Sequence, residues 1–286
     1  MEMHEIRPEI SQALLTNPGI GFIAAPELMD AEPNALRDSR GQIVAPYKFT
    51  PDSRTWNHPD SGVLFCSCRW KDIEPLQGTY DWRCLEEKLD AAAALGCTCI
   101  VRISPYALSA QEDIPAWLRM RYPEEPEFPF WRIDPNTTEY PRLWAALIRN
   151  FAARYDGDPR ITSVDMAIVG AWGEGGGTEN MEENAMKTVI AAYMEGFPHT
   201  PLTALLHDPK SLACIRAFPK QVGFRVDCLG DMGGFHGDRW SHMLDFYPEN
   251  IQNFQMGDAW QEAPVVFEAC WHMNDWYLQG WDIDYI

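Results

Sequence analysis

The chain has 286 residues, 46% hydrophobic and 23% charged, an ordinary balance for a soluble globular protein at a length that an undivided α/β barrel commonly reaches. Its formal net charge is −19 and no basic cluster interrupts the acidity, which excludes nucleic acid as a partner and disfavours a polyanionic substrate. No apolar run of about 18 residues is present to span a membrane, and the first residues carry charges rather than an apolar secretory core, so a cytoplasmic setting is expected.

In chain order, apolar β-branched runs bounded by Gly, Pro and Asp predict strands at Gly19–Ala24, Gly62–Cys68, Thr98–Ser104, Ile161–Val169, Leu202–Leu206, Gly223–Cys228 and Pro264–Ala269. Between them the 3.6-residue period predicts helices. Leu85–Leu95 repeats its apolar residues at 85, 89, 92 and 95 and stops at Gly96. Tyr140–Tyr155 places Leu143, Leu147 and Phe151 on one face, and Glu182–Glu195 closes at Gly196. Such alternation means βα units and a parallel sheet, here a TIM (β/α)8-type barrel formed by residues 1–286 as a single domain. Only seven strands are found, so the barrel is expected to lack its last strand and helix, as a truncated chain would. The proline- and charge-rich segments 26–59 and 105–135 are expected to be long linkers that wall a cleft at the carboxyl ends of the strands.

Two strand ends carry a glutamate beside tryptophan. One is Val164-Asp-Met-Ala-Ile-Val-Gly-Ala-Trp-Gly-Glu174-Gly-Gly-Gly177; the other is Val265-Val-Phe-Glu268-Ala-Cys-Trp271. Strand-end carboxylates sit where such barrels place their chemistry, and a pair of them suits cleavage of a sugar bond. Other roles stand beside this one. Glu174 could cap the following helix start, and Glu268 could be half of a buried ion pair. Of the twelve tryptophans most are expected in the core, while Trp70, Trp172, Trp271 and Trp276 fall at loop starts where a ring could stack on a sugar face. Strand parity turns Arg102 into the barrel with Thr98, Ile100 and Ser104. Arg69 and Arg225 lie near strand ends, where a guanidinium could hold a carboxylate ionised. Cys66-Ser-Cys68 and Cys97-Thr-Cys99 lack zinc spacing and read as reduced, small apolar residues.

The run Cys68-Arg-Trp-Lys-Asp-Ile-Glu-Pro-Leu-Gln-Gly-Thr-Tyr-Asp-Trp82 resembles the second strand-to-helix segment of clan A glycoside hydrolases, notably the β-galactosidase-like barrels. Asn17-Pro-Gly-Ile-Gly-Phe22, Arg154-Tyr-Asp-Gly-Asp-Pro159 and Gly170-Ala-Trp-Gly-Glu174 resemble a group of uncharacterised bacterial barrels related to them. The resemblance implies a retaining glycosidase with Glu174, after the fourth barrel strand, as acid/base and Glu268, on the seventh, as nucleophile. Their places at strand ends, loop starts and the barrel mouth make Arg69, Trp70, Arg102, Trp172, His207, Asp227 and Trp271 the expected substrate-binding residues, the acidity favours a neutral carbohydrate substrate, and no cofactor is expected. The resemblance also implies that Glu74-Pro75 is a structural turn. One departure stands out: the family places Asn directly before the acid/base, and here the residue is Gly173.

Two rival readings remain. A carbohydrate-binding barrel could have kept the fold and lost the chemistry, as Gly173 suggests. Alternatively His207-Asp208, Asp227, Asp231, His236 and His272 could hold a divalent metal for hydrolysis, although no pair shows diagnostic spacing and no metal ligand is assigned.

Overall fold

A computed structural model of the chain describes residues 22–24, 35–37, 43–46, 61–105, 114–121, 134–170, 173–229, 231 and 240–269. Seven parallel strands form one sheet in the order β1 (Phe22–Ala24), β4 (Ser61–Arg69), β5 (Thr98–Ser104), β6 (Ile161–Asp165), β7 (Leu202–Leu205), β8 (Gly223–Leu229) and β9 (Val265–Ala269). Apart from β2 (Ala35–Arg37) and β3 (Ile43–Pro46), the neighbours are consecutive, as right-handed βα crossovers require. The seven strands predicted from the sequence are these seven. β2 and β3 pair as an antiparallel hairpin, which corrects the reading of 26–59 as linker alone.

Alternation explains why β4 and β5 sit as they do. Leu64, Cys66 and Cys68 on β4, with Cys99, Val101 and Ile103 on β5, are buried in the apolar core beneath the helices. The alternate residues Val63, Ile100, Arg102 and Ser104 turn to the other face, the barrel interior. There Arg102 on β5 and Arg225 on β8 both reach Asp165 on β6, from strands on either side of it and with β7 between β6 and β8. Such convergence on one oxygen fits the curl of a barrel wall.

The helix layer follows the predicted periodicity. α1 (Trp70–Ile73) is a single turn after β4, and α2 (Arg83–Ala94) buries Leu85, Leu89 and Ala92. α2 ends where Gly96 takes φ +69, and the Gly96 and Cys97 amides return to Ala93 and Ala92. α3 (Ala116–Arg119) precedes α4 (Glu139–Tyr155), which packs against α5 (Glu183–Gly196), with Phe151 meeting Phe197 just beyond the end of α5, ring centroids 5.1 Å apart. α6 (Pro209–Ile215) follows β7, capped by the Asp208 side chain on the Ser211 amide. A π-helical turn at His242–Phe246 leads into α7 (Tyr247–Asn253). Among the described residues no helix is long and apolar enough to cross a membrane.

Candidate active site

The site begins where β6 stops. The sequence predicts a strand to Val169, but β6 ends at Asp165; the Met166 amide still donates to Thr203 at 3.0 Å, and the chain then runs on outside the strand. Aromatic donors from the helix layer satisfy that segment: Trp144 Nε1 donates to the Ala167 carbonyl at 2.8 Å and Tyr140 Oη to Ile168 at 2.8 Å. A tight glycine turn follows, in which the Gly173 amide donates to Gly170 and the Gly175 amide to Val169. Gly173 has φ +81, and a Cβ there would stand 2.6 Å from Ala167 Cβ and 3.0 Å from Arg102 Cδ. A side chain beside Glu174 is opposed by the left-handed backbone and by Ala167 above all, with the Arg102 stem next to it.

Beyond the turn, Glu174 keeps 35% of its side chain exposed at the barrel mouth, and Glu268 on β9 keeps 53%. At that exposure Glu268 is not the buried ion pair weighed as its alternative role. Between them runs a chain of charges. Arg102 Nε and Nη2 lie 2.7 and 2.6 Å from Asp165 Oδ2, and Arg225 Nε lies 2.9 Å from the same oxygen. Thr203 Oγ1 donates to Asp165 Oδ1 at 3.2 Å, and Arg225 Nη1 pairs with Asp227. Outward, Arg102 Nη1 is 3.9 Å from Glu174 Oε1 and Arg225 Nη1 is 4.0 Å from Glu268 Oε2.

These contacts set the protonation states. Burial pushes the Glu174 carboxyl above the usual range; Arg225 and Arg102 oppose that, and the charges of Glu268 and Asp165 reinforce it. Burial also pushes on Asp165, but Arg102 and Arg225 outweigh it and hold that carboxyl below its ordinary value. One carboxyl is thus suited to carry a proton while its inner neighbour stays ionised.

The other predicted positions divide. Arg69 ends β4 and is held at the rim by Asp72 at 3.2 Å. Trp70 is corrected: it is fully buried among Trp117, Tyr140 and Trp144 and presents no face to a sugar. Its indole donates to Glu74 Oε2 at 2.6 Å, and Glu74 Oε1 accepts the Gly78 amide at 2.7 Å, so the Glu-Pro turn is structural. His207 Nδ1 lies 3.6 Å from Asp227 Oδ2 and its ring meets that of His242 edge-on at 5.0 Å. His242 Nδ1 in turn sits 2.8 Å from Asp231 Oδ2, with Trp240 against its ring. Among the described residues no three His, Cys, Asp or Glu side chains are grouped to hold a metal ion. Trp172, Trp271, Trp276, His236 and His272 lie outside the described residues.

Sequence reasoning missed Asp165, His242 and Trp240. For Asp165 a signal existed: Ser163 and Asp165 occupy alternate positions of an otherwise apolar strand, hence one face of it.

Residues 61–166 match the model of a glycoside hydrolase family described as β-galactosidase, a span that includes Trp70, Glu74 and Asp165 and ends before Glu174. No curated protein matches the chain. Among solved structures, endoglycoceramidase II from a Rhodococcus species, as its lactosyl-enzyme intermediate, is 14% identical at a TM-score of 0.44, covering 83% of this chain and 75% of that one. Xylanase 10B from Thermotoga petrophila with xylobiose is 13% identical at 0.45, covering 87% and 71%. Native xylanase 10B from Thermotoga maritima is 12% identical at 0.46, covering 87% and 69%. The consecutive parallel strand order is that of an α/β barrel wall, and residues 61–166 within it are similar to that glycoside hydrolase family.

Proposed function

We propose that the protein is a glycosidase that cleaves a neutral glycosidic bond by a retaining, two-carboxylate mechanism. The observation that carries this reading is the pair of strand-end glutamates, on the segment after β6 and on β9, joined by Arg102, Asp165 and Arg225. Glu174, raised by burial, is the acid that protonates the departing glycosidic oxygen and then the base that activates water. Glu268, within 4.0 Å of Arg225, is the carboxylate that attacks the anomeric carbon. Arg102, His207 and Asp227 line the surrounding wall and would hold sugar hydroxyls, with Arg69 at the rim; Trp172 and Trp271 would be the stacking faces. The chemistry needs no cofactor.

The test is hydrolysis of a panel of aryl glycosides by wild type, Glu174→Ala and Glu268→Ala. Activated aryl leaving groups need little acid assistance, so Glu174→Ala should slow deglycosylation and be rescued by azide. Glu268→Ala should abolish turnover. Activity indifferent to both substitutions would sink the assignment, and sugar binding without turnover by wild type would turn the reading to a carbohydrate-binding barrel.

A further inference from the structure

The buried carboxylate of Asp165 has no place in the two-glutamate scheme, yet both arginines converge on it. It is 1% exposed, its Oδ2 receives Arg102 and Arg225 together, and its Oδ1 accepts the Thr203 hydroxyl. Each arginine then extends a second nitrogen to within about 4 Å of one glutamate. We propose that Asp165 is the positioning residue of this site: it fixes both guanidinium groups between the glutamates and neutralises part of their charge, so that Glu174 can serve as proton carrier. This rests on the glycosidase reading for its purpose, although not for its electrostatics.

Charged and titratable groups face the cluster from several elements among the described residues. β5 supplies Arg102, β8 supplies Arg225 and Asp227, β9 supplies Glu268, and His207 follows β7. From the helix side come the Asp208 carboxyl at the start of α6, close to the Gly175 turn, and the Tyr193 phenol on Ala167. Without Asp165 two guanidinium charges would face Glu174 and Glu268 with one carboxylate fewer to balance them, Asp227 remaining on Arg225. Cations that close favour the ionised form of a carboxyl, so Glu174 would give up its proton at lower pH. A carboxylate buried against two arginines would equally serve as plain architecture, and the titration of Glu174 separates the two roles.

The experiment is carbon-13 NMR titration of the Glu174 carboxyl, assigned by loss of its signal in Glu174→Gln, in wild type, Asp165→Asn, Arg102→Met and the double variant. Asp165→Asn should move the titration to lower pH, cutting the protonated fraction at the wild-type midpoint roughly tenfold. The double variant, which removes one charge of each sign and leaves Arg225 paired with Asp227, should titrate close to wild type. If Asp165→Asn does not fold, the same step made in the Arg102→Met background must still move the titration downward. A midpoint that stays or rises on either step overturns the proposal. Where an aryl glycoside is turned over, the alkaline limb of the kcat profile should move with the NMR midpoint. Absence of turnover in wild type would remove the glycosidase reading and leave the Asp165 titration result standing by itself.

Discussion

At the scale of single residues, Gly173 and Glu174 carry opposite constraints one position apart. Gly173 is fixed by geometry, since a side chain there would need the φ of +81 and the space held by Ala167 and Arg102. Gly173→Asn should therefore restore the family pattern on paper and cost roughly 2 kcal/mol or more of stability, from backbone strain and overpacking together. Ala167→Gly in the same chain should recover part of the loss by removing the 2.6 Å contact, and thermal melts of the three variants would check this. A Gly173→Asn protein as stable as wild type would refute the steric account. Glu174 is constrained by charge instead. Its carboxyl is raised in the folded state, so the proton it holds contributes stability at low pH that is lost as pH rises through the folded value. Glu174→Gln removes that loss. The melting temperature of Glu174→Gln relative to wild type should be near parity at about pH 4 and grow in the variant's favour toward pH 7, reaching a plateau once wild-type Glu174 is ionised. A gain that shrinks with rising pH would contradict the direction assigned here.

At the scale of elements, the strand and helix layers were legible because alternation and the 3.6-residue period were strong. Thr98–Ser104 carries Cys99, Val101 and Ile103 to the helices and Ile100, Arg102 and Ser104 to the interior, and its predicted bounds are the observed ones. Ile161–Val169 was over-extended because its apolar run continues past the last ladder pair; Trp144 and Tyr140 take the carbonyls that a neighbouring strand would have taken. Trp70 was misplaced for a related reason. A tryptophan at a strand end can face a ligand or a core, and here the Glu74 carboxylate, itself 2% exposed, draws the indole inward. That turn makes a prediction of its own. Glu74→Ala leaves the Trp70 indole and the Gly78 amide without their acceptor and should destabilise by about 1–3 kcal/mol, whereas Glu74→Gln keeps a carbonyl acceptor and should lose less. Urea unfolding of both variants tests it, and equal stability of Glu74→Ala and wild type would show that the turn stands without the carboxylate.

At the scale of the whole molecule, the two glutamates could be proposed from the sequence, but the contacts of the charged residues between them could not. Arg102, Asp165 and Arg225 lie on three different strands, and only the packing of the sheet's inner face, not the sequence, shows that their side chains meet at one oxygen. Among the described residues of the interior, Arg102 and Arg225 are set against Asp165 and Asp227. The chain as a whole has 42 acidic against 23 basic residues, a net −19. Surface repulsion of that size is screened by salt, while buried pairs are screened far less. The Debye length falls from about 30 Å at 0.01 M to about 8 Å at 0.15 M, so the melting temperature should rise over that range at neutral pH. Surface pairs such as Arg154–Glu86 at 3.0 Å and Arg160–Asp158 at 2.7 Å pull the other way, because screening weakens them. Their individual contributions are well under the summed repulsion of so large a net charge, which decides the sign. A melting temperature that falls as salt is added would mean that these surface pairs, and not the acidic excess, govern the stability of the fold.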